Sequence, residues 1–269
     1  MKYIKIKYGH IIAVIILLAT VSCQKVINLK LNNAPAQIVI EANITDQEGP
    51  QYVTITKSIP FTGANNFPTV SRAVITLSDN TGQQFKFGEV HPGLYVLYPF
   101  SGGVYGRTYT LTVKIGDTIY TARSTMPVAA VPLDSVTDKP NVFGKSDLRT
   151  ITVNYQDPPN IANQYLFTLF INSTQVGTIF TNNDSFTDGR YVSEDLFQTD
   201  IDVHVGDTAS VNMESIDNNI YQYWYTLSQQ QANGPDGGVT PSNPPSNFNN
   251  NALGYFSAHT ISGKSILVY

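Results

Sequence analysis

Apolar and polar residues alternate in short segments along the first half of the chain. Ala36–Thr45 and Gln51–Lys57 follow a period of two, which predicts strands with one buried face. Gly116 can take the positive-φ position of a type II′ hairpin turn. Seven short strands separated by turns predict an immunoglobulin-like or transthyretin-like β-sandwich over residues 36–127. The other five strands are predicted at Ala73–Leu77, Gln84–Phe87, Leu94–Tyr98, Thr108–Ile115 and Thr118–Ser124.

The second half has the same character with less regular spacing. Pro127 and Pro132 restrict the backbone of the segment between them, which we interpret as a connector. We therefore expect a second β-rich, sandwich-like domain over residues 128–269. Its strands are predicted at Ser135–Asp138, Thr150–Tyr155, Tyr165–Ile171, Gln175–Thr181, Ile201–His204, Thr208–Met213, Ala252–Ile261 and Ser265–Val268, the last two separated by a turn at Ser262 and Gly263.

One segment, residues 217–231, has helical periodicity. It starts at Asp217, a residue type favoured as a helix N-cap. Its apolar face carries Ile220, Trp224 and Leu227 at positions i, i+4 and i+7. We interpret Trp224 as an anchor that packs on a sheet rather than as a ligand-stacking residue. The predicted fold class is all-β with one helix.

The N-terminus has the layout of a secretory signal. Three lysines precede an apolar run from Ile11, which is too short for the ~20 residues of a membrane-spanning helix. Ser22 and Cys23 then resemble a bacterial lipobox, which implies cleavage of residues 1–22 after Ser22 and lipidation of Cys23. Residues 23–35 would form a lipidated tether. Acyl chains on Cys23 would hold the protein at a membrane.

Composition narrows the function further. The chain has 16 Lys and Arg against 20 Asp and Glu, and the balance is 13 against 20 once the signal lysines are removed. The remaining cations are scattered singly, so nucleic acid is not an expected partner. One cysteine in 269 residues excludes an intramolecular disulfide.

Two polar loops are the candidate binding elements. The first is the Gly, Pro and Asn-rich segment Pro235–Asn251, because structureless loops of this length are usually functional or disordered. The second, Asn182–Asp195, offers oxygen ligands that suit Ca²⁺, but it lacks the regular spacing of a calcium loop, and a solvated acidic loop is the favoured interpretation. The candidate residues are Asn182, Asp184, Asp188, Asn243, Asn247 and Asn250.

Catalytic motifs do not emerge from the sequence. The three histidines after the signal segment, His91, His204 and His259, are far apart and lack metal-ligand spacing. No nucleophile elbow, phosphate loop or dinucleotide fingerprint occurs. The sequence therefore predicts a protein that is not an enzyme and that has no cofactor and no metal.

The chain resembles a large family of Bacteroidetes lipoproteins known only as a domain of unknown function. The resemblance lies in Gln37–Thr45, in Thr125–Pro127 followed by Val131–Ser135, and in Asn243–Pro244 leading to Asn251–Ala258. It implies a lipoprotein of the cell envelope, anchored in the outer membrane on its periplasmic or its surface face. Such proteins are often encoded near TonB-dependent receptors.

The resemblance implies no catalytic residue. It favours a non-enzymatic binding or accessory subunit of an outer-membrane uptake system, with a TonB-dependent receptor or another outer-membrane protein as partner. Two alternatives stay open. One is a surface adhesion or structural module, and the other is a lipid-anchored glycan or peptide hydrolase. The sequence leaves the ligand and the oligomeric state open.

Overall fold

Strands make up about half of the residues that the computed structural model describes, which are 35–60, 66–141, 147–233 and 242–269. The signal segment, Ser22, Cys23 and most of the tether lie outside these residues. The strands are β1 Ile38–Thr45, β2 Gln51–Lys57, β3 Val74–Asp79, β4 Gln84–Lys86, β5 Gly88–His91, β6 Leu94–Leu97, β7 Thr108–Ile115, β8 Thr118–Thr125, β9 Ser135–Pro140, β10 Arg149–Gln156, β11 Gln164–Ile171, β12 Thr174–Gln175, β13 Phe180–Asn183, β14 Tyr191–Leu196, β15 Thr208–Ile216 and β16 Leu253–Leu267. With one helix, α1 Asn218–Asn233, they confirm the predicted fold class.

One large sheet runs through both halves of the chain. Its strand order is β12-β11-β15-β16-β1-β2-β6-β5, with β13 also paired to β11. The long strand β16 makes this continuity, because it pairs in parallel with β1 and antiparallel with β15. Ala36–Tyr269 accordingly form one compact unit.

Two smaller sheets cover one face of the large sheet and form two hydrophobic cores. The sheet β4-β3-β7-β8 encloses the first core, and β14-β10-β9 encloses the second. Phe248, Ala252, Phe256 and Ala258 belong to the first core. The sandwich predicted for residues 36–127 is therefore completed by residues near the other end of the chain.

The local predictions have mixed outcomes. The hairpin at Gly116 is confirmed, with φ of 58° and with Ile115 paired to Thr118. The predicted strand Gln175–Thr181 is split between β12 and β13. The predicted strand Ile201–His204 is wrong, because the Gln198 side chain accepts the Ile201 N–H and donates to the Ile201 carbonyl, which replaces a strand partner.

The predicted turn at Ser262 and Gly263 is also wrong. Both residues continue β16, where they pair with Met213 and Asn212 of β15. Ser262 Oγ also accepts the backbone N–H of Leu133 over 2.8 Å, which ties the connector to the strand. Pairing with the neighbouring strand therefore overrides the local turn signal.

The helix α1 begins where the sequence predicts. Asp217 is its N-cap, because Oδ1 accepts the backbone N–H groups of Asn219 and Ile220 over 3.0 and 3.1 Å. Oδ2 accepts the Ser124 hydroxyl over 2.6 Å and therefore joins the helix to β8. Ile220 packs in a small third cluster between helix and sheet. Within the described residues, no helix has the length and apolar character needed to cross a membrane.

Candidate functional site

A groove of about 390 Å³ lies on the face of the large sheet opposite the two cores. Side chains alternate across a strand, so residues beside core positions point to this second face. In β15, Val211 and Met213 are in the second core while Asn212 and Glu214 line the groove. β1, β11 and β16 contribute to the lining in the same way. α1 adds Trp224, which packs against the third cluster, as predicted for an anchor, and which also lines the groove, where a ligand can contact it.

A buried histidine lies at the base of the groove. The His259 side chain is only 3 % exposed, its Nδ1 is 2.9 Å from Ser257 Oγ, and its Nε2 is 3.6 Å from Glu214 Oε2. The hydroxyl contact orients the ring, and the carboxylate forms an ion pair with it only when the imidazole is protonated. Glu214 is 19 % exposed, so its carboxylate is accessible from the groove.

Ser257, His259 and Glu214 are the residue types of a hydrolase triad, but their geometry does not suit acyl transfer. Ser257 is 1 % exposed and does not line the groove, so its hydroxyl is out of reach of a substrate there. A nucleophile must contact the reacting carbonyl. The three side chains therefore form a buried polar chain that positions His259.

An aromatic cluster borders the groove beside the helix. The ring centroid of Tyr255 is 5.3 Å from that of Trp224 and 5.0 Å from that of Tyr223. Burial raises the pKa of Tyr223 to about 12 and raises the pKa of Tyr255 further. Tyr255 is therefore a neutral phenol, and Asn43 Nδ2 lies 3.5 Å from its oxygen.

The charge of the groove is low and slightly acidic. Glu214 is the only carboxylate among its described lining residues, which include no Lys or Arg. The other polar lining groups are amides, hydroxyls and the His259 imidazole, with Asn212, Thr168 and Gln175 among them. This mixture suits hydrogen bonding to an uncharged ligand.

Comparison with known protein families identifies the family of this chain. A family model described as a domain of unknown function, DUF4249, matches residues 24–265. The chain belongs to this family. The expected resemblance to a domain of unknown function is thereby confirmed. No curated protein matches the DUF4249 chain.

Solved structures with similarity to the DUF4249 chain are distant. A two-domain fibronectin type III segment of chicken tenascin is 14% identical, with a TM-score of 0.22, over 67% of this chain and 91% of that one. A DUF4785 family protein from Legionella pneumophila is 9% identical, with a TM-score of 0.26, over 66% of this chain and 52% of that one.

The predicted acidic loop of the DUF4249 chain is divided between two strands and a turn. Asp157, Asp184 and Asp188 bring carboxylate oxygens within 4.8 Å of one another, close enough to share a cation. Each also accepts a hydrogen bond from the protein: Asp157 from Tyr165, Asp184 from the Asn163 N–H, and Asp188 from the Asn160 N–H. These contacts join the segment around Asn160 to the turn between β13 and β14.

Asn182, the first candidate residue of that loop, lies in β13 and not in a loop. Its Nδ2 donates to Glu194 of β14 over 2.6 Å. Glu194 is half-buried, and burial raises its pKa, although the Asn182 hydrogen bond opposes that effect. The Asn182 amide is therefore used within the fold.

The described part of the other predicted loop follows the edge strand β8. Asn250 Nδ2 donates to the Ile119 carbonyl over 2.7 Å, and Asn247 Nδ2 donates to the Arg123 carbonyl over 3.0 Å. Asn243 is exposed. Residues 235–241 lie outside the described part of the chain. Side-chain amides thus cover an edge that would otherwise present unpaired backbone groups.

Sequence reasoning did not identify the groove. Its signal is the polar set at alternate positions of β1, Glu41, Asn43 and Thr45, beside the buried Ile40, Ala42 and Ile44. The same alternation in β15 places Asn212 and Glu214 beside Met213. These patterns predict one polar sheet face, but they do not show that strands far apart in sequence share it.

Proposed function

We propose that this DUF4249 protein is a non-enzymatic binding or accessory subunit of an outer-membrane uptake system, anchored in the membrane by lipid on Cys23. The observation that carries the proposal is the groove beside α1, on the face of the shared sheet opposite the two cores. A volume of about 390 Å³ falls within the ~300–1,000 Å³ of small-molecule sites. A partner or ligand can reach this face without displacing either core.

The groove chemistry favours binding over catalysis. Glycoside hydrolysis normally uses two carboxyl groups placed about 5–9.5 Å apart across the scissile bond. Glu214 is the one carboxylate that the described lining offers, and it lies against His259. Glu214 can accept a hydrogen bond from a ligand without a second carboxyl group, which hydrolysis would require.

The anchor rests on the sequence. Ser22 and Cys23 follow an apolar segment with a basic start, and the first described strand begins at Ile38. A single acyl chain binds membranes only marginally, whereas two or more chains on Cys23 would anchor the protein stably. The intervening residues would separate the sheet from the lipid surface.

The experiment is an affinity pull-down from detergent-solubilised membranes of the native host. We expect the tagged full-length chain to recover a TonB-dependent receptor. Cys23→Ala should fractionate away from membranes and recover less of the receptor. A wild-type chain that is recovered without any membrane protein would contradict the accessory role and would favour the alternative of a surface adhesion module.

A further inference from the structure

We infer that the groove binds a neutral saccharide, with a pyranose ring against the aromatic cluster and its hydroxyls on the polar side chains of β11 and β15. This inference rests on the proposed binding function and specifies its ligand. It is carried by three properties of the groove: its charge, its fixed aromatic border and the register of its polar residues.

Charge limits the ligand class. The described lining has no Lys or Arg, so a phosphate or carboxylate ligand would leave water without a compensating cation. Glu214 and the His259 imidazole, 3.6 Å apart, offer a hydrogen-bond acceptor and a polar ring. A ligand rich in hydroxyl donors meets this surface without burying an unpaired charge.

The aromatic border supplies an apolar surface at one side of a polar groove. Trp224 and Tyr255 meet edge to face at an interplanar angle of 63°, and Tyr223 meets Trp224 at 83°. These contacts fix the rings before a ligand arrives, which lowers the entropy lost on binding. A pyranose matches this border, because its ring faces carry C–H groups while its rim carries hydroxyls.

The polar residues are neighbours by strand register. Thr168 of β11 pairs directly with Asn212 of β15, so their side chains lie side by side on the groove face. Glu214 follows two residues after Asn212, about 7 Å further along the same face. Asn212 is exposed, so its amide is free to exchange water for ligand hydroxyls. The polar side chains from Asn212 to Glu214 therefore span about the length of one sugar ring and its linkage.

Trp224 gives the test its readout, because it is the only tryptophan in the chain. The full-length protein in detergent would be titrated with cellopentaose, maltopentaose and xylopentaose, while the tryptophan emission is followed. Spermidine serves as the cationic probe and tri-glutamate as the anionic probe. We expect a saturable change in Trp224 emission with at least one pentasaccharide and none with tri-glutamate.

Three variants locate the response. Asn212→Ala and Glu214→Gln should each weaken saccharide binding about tenfold, which corresponds to one lost hydrogen bond to a ligand or to a charged acceptor. Glu48→Gln makes the same charge change at an exposed turn outside the groove and should leave binding unchanged. Circular dichroism of each variant confirms that the strands remain folded.

The other outcomes overturn the inference. A response to spermidine alone, lost in Glu214→Gln, would make the groove a cation site. The absence of any pentasaccharide response, or equal responses in all variants, would also overturn it. The membrane pull-down is independent of this titration. Recovery of a receptor without a saccharide response would reject the ligand and leave the accessory role intact, whereas cleavage of the pentasaccharide would contradict the non-enzymatic function.

Discussion

The Asn247 carboxamide and the Phe256 backbone exchange two hydrogen bonds. Asn247 Nδ2 donates to the Phe256 carbonyl over 2.8 Å, and the Phe256 N–H donates to Asn247 Oδ1 over 2.9 Å. The side chain thus imitates a strand partner for β16. Because Nδ2 also donates to Arg123 of β8, one residue joins the two sheets that enclose the first core.

Replacement of Asn247 should therefore destabilise the protein. We expect Asn247→Ala to lower the free energy of unfolding by about 2–3 kcal/mol, since it leaves the Phe256 backbone groups without these partners. Urea denaturation followed by circular dichroism measures the change. Asn243→Ala is the matched control, because Asn243 is exposed in the same segment. Equal stability of the two variants would disprove the bridging role.

Gly254 should tolerate no side chain. Its φ of 89° is in the region that favours glycine, and a Cβ there would collide with the Ile40 carbonyl of the paired strand β1. We expect Gly254→Ala to cost about 2–3 kcal/mol and to lower the thermal midpoint. Gly116→Ala is the comparison, because Gly116 also has positive φ but no atom lies within 4 Å of its added Cβ. A smaller loss in Gly254→Ala than in Gly116→Ala would refute the steric argument.

The Asp79 carboxylate should make the free energy of unfolding depend on pH in the acidic range. Burial alone would raise its pKa, but hydrogen bonds from Thr81 and Gln83 and the Arg107 guanidinium, 2.7 Å away, outweigh burial and hold the pKa below its usual value. A lowered folded-state pKa stabilises above the ordinary pKa of about 3.9, and this contribution is lost as the pH falls through the folded pKa.

We therefore expect Asp79→Asn to destabilise the protein by about 1–2 kcal/mol at pH 7, with partial exposure of Arg107 weakening the ion pair. The difference from wild type should shrink below about pH 4, where the carboxylate of the unfolded chain begins to bind protons, and it should be lost as the pH falls through the lower pKa of the folded state. Urea denaturation at pH 7, 5 and 3 measures it. Asp117→Asn, at an exposed turn of the same sheet, is the control. A pH-independent difference would exclude the ionic contribution.

Tyr165 should stabilise the buried carboxylate of Asp157. Burial raises the pKa of Asp157, while the Tyr165 hydroxyl, which donates to its Oδ1, opposes the shift. A raised folded-state pKa means that this contribution to stability is full below pH ~3.9 and is lost as the pH rises through the folded pKa. Loss of the hydroxyl would raise the pKa further and increase the total stability lost as the pH rises.

Tyr165→Phe should thus cost about 1–3 kcal/mol at pH 7 and less at pH 4. Thermal unfolding at both values checks the prediction. Tyr155→Phe is the control, because it removes a hydroxyl from the same core that lies at the longer distance of 3.5 Å from its partner, Asn182 Nδ2. The control should lose less stability, and a greater loss at pH 4 than at pH 7 in Tyr165→Phe would reverse the proposed sign.

The sequence predicted the features that local chemistry determines. The two-residue turn at Gly116 and the N-cap at Asp217 depend on a few adjacent residues, and both are confirmed. The bounds of β2 and β7 also agree with their alternating patterns. Each of these elements carries its own signal because the deciding contacts lie within a few residues.

The features that depend on distant partners were not predicted. The sequence predicts an acidic loop where β14 lies, because Glu194 and Asp195 obscure the inward pair Val192 and Leu196, whose burial depends on packing in the second core. The groove combines Asn43 with His259, more than two hundred residues later in the chain. Only the parallel pairing of β1 with β16 brings them together, and neither strand encodes that pairing locally.

The shared strand β16 also orders events during synthesis. A ribosome delivers the chain from its N-terminus, so β1 is made more than two hundred residues before the strand that lies beside it. Until β16 emerges, neither core is closed, and β1 has an unpaired edge. A nascent chain that lacks β16 has no Phe256 or Ala258 to complete the first core. The topology therefore delays completion of the fold until almost the whole polypeptide has been made.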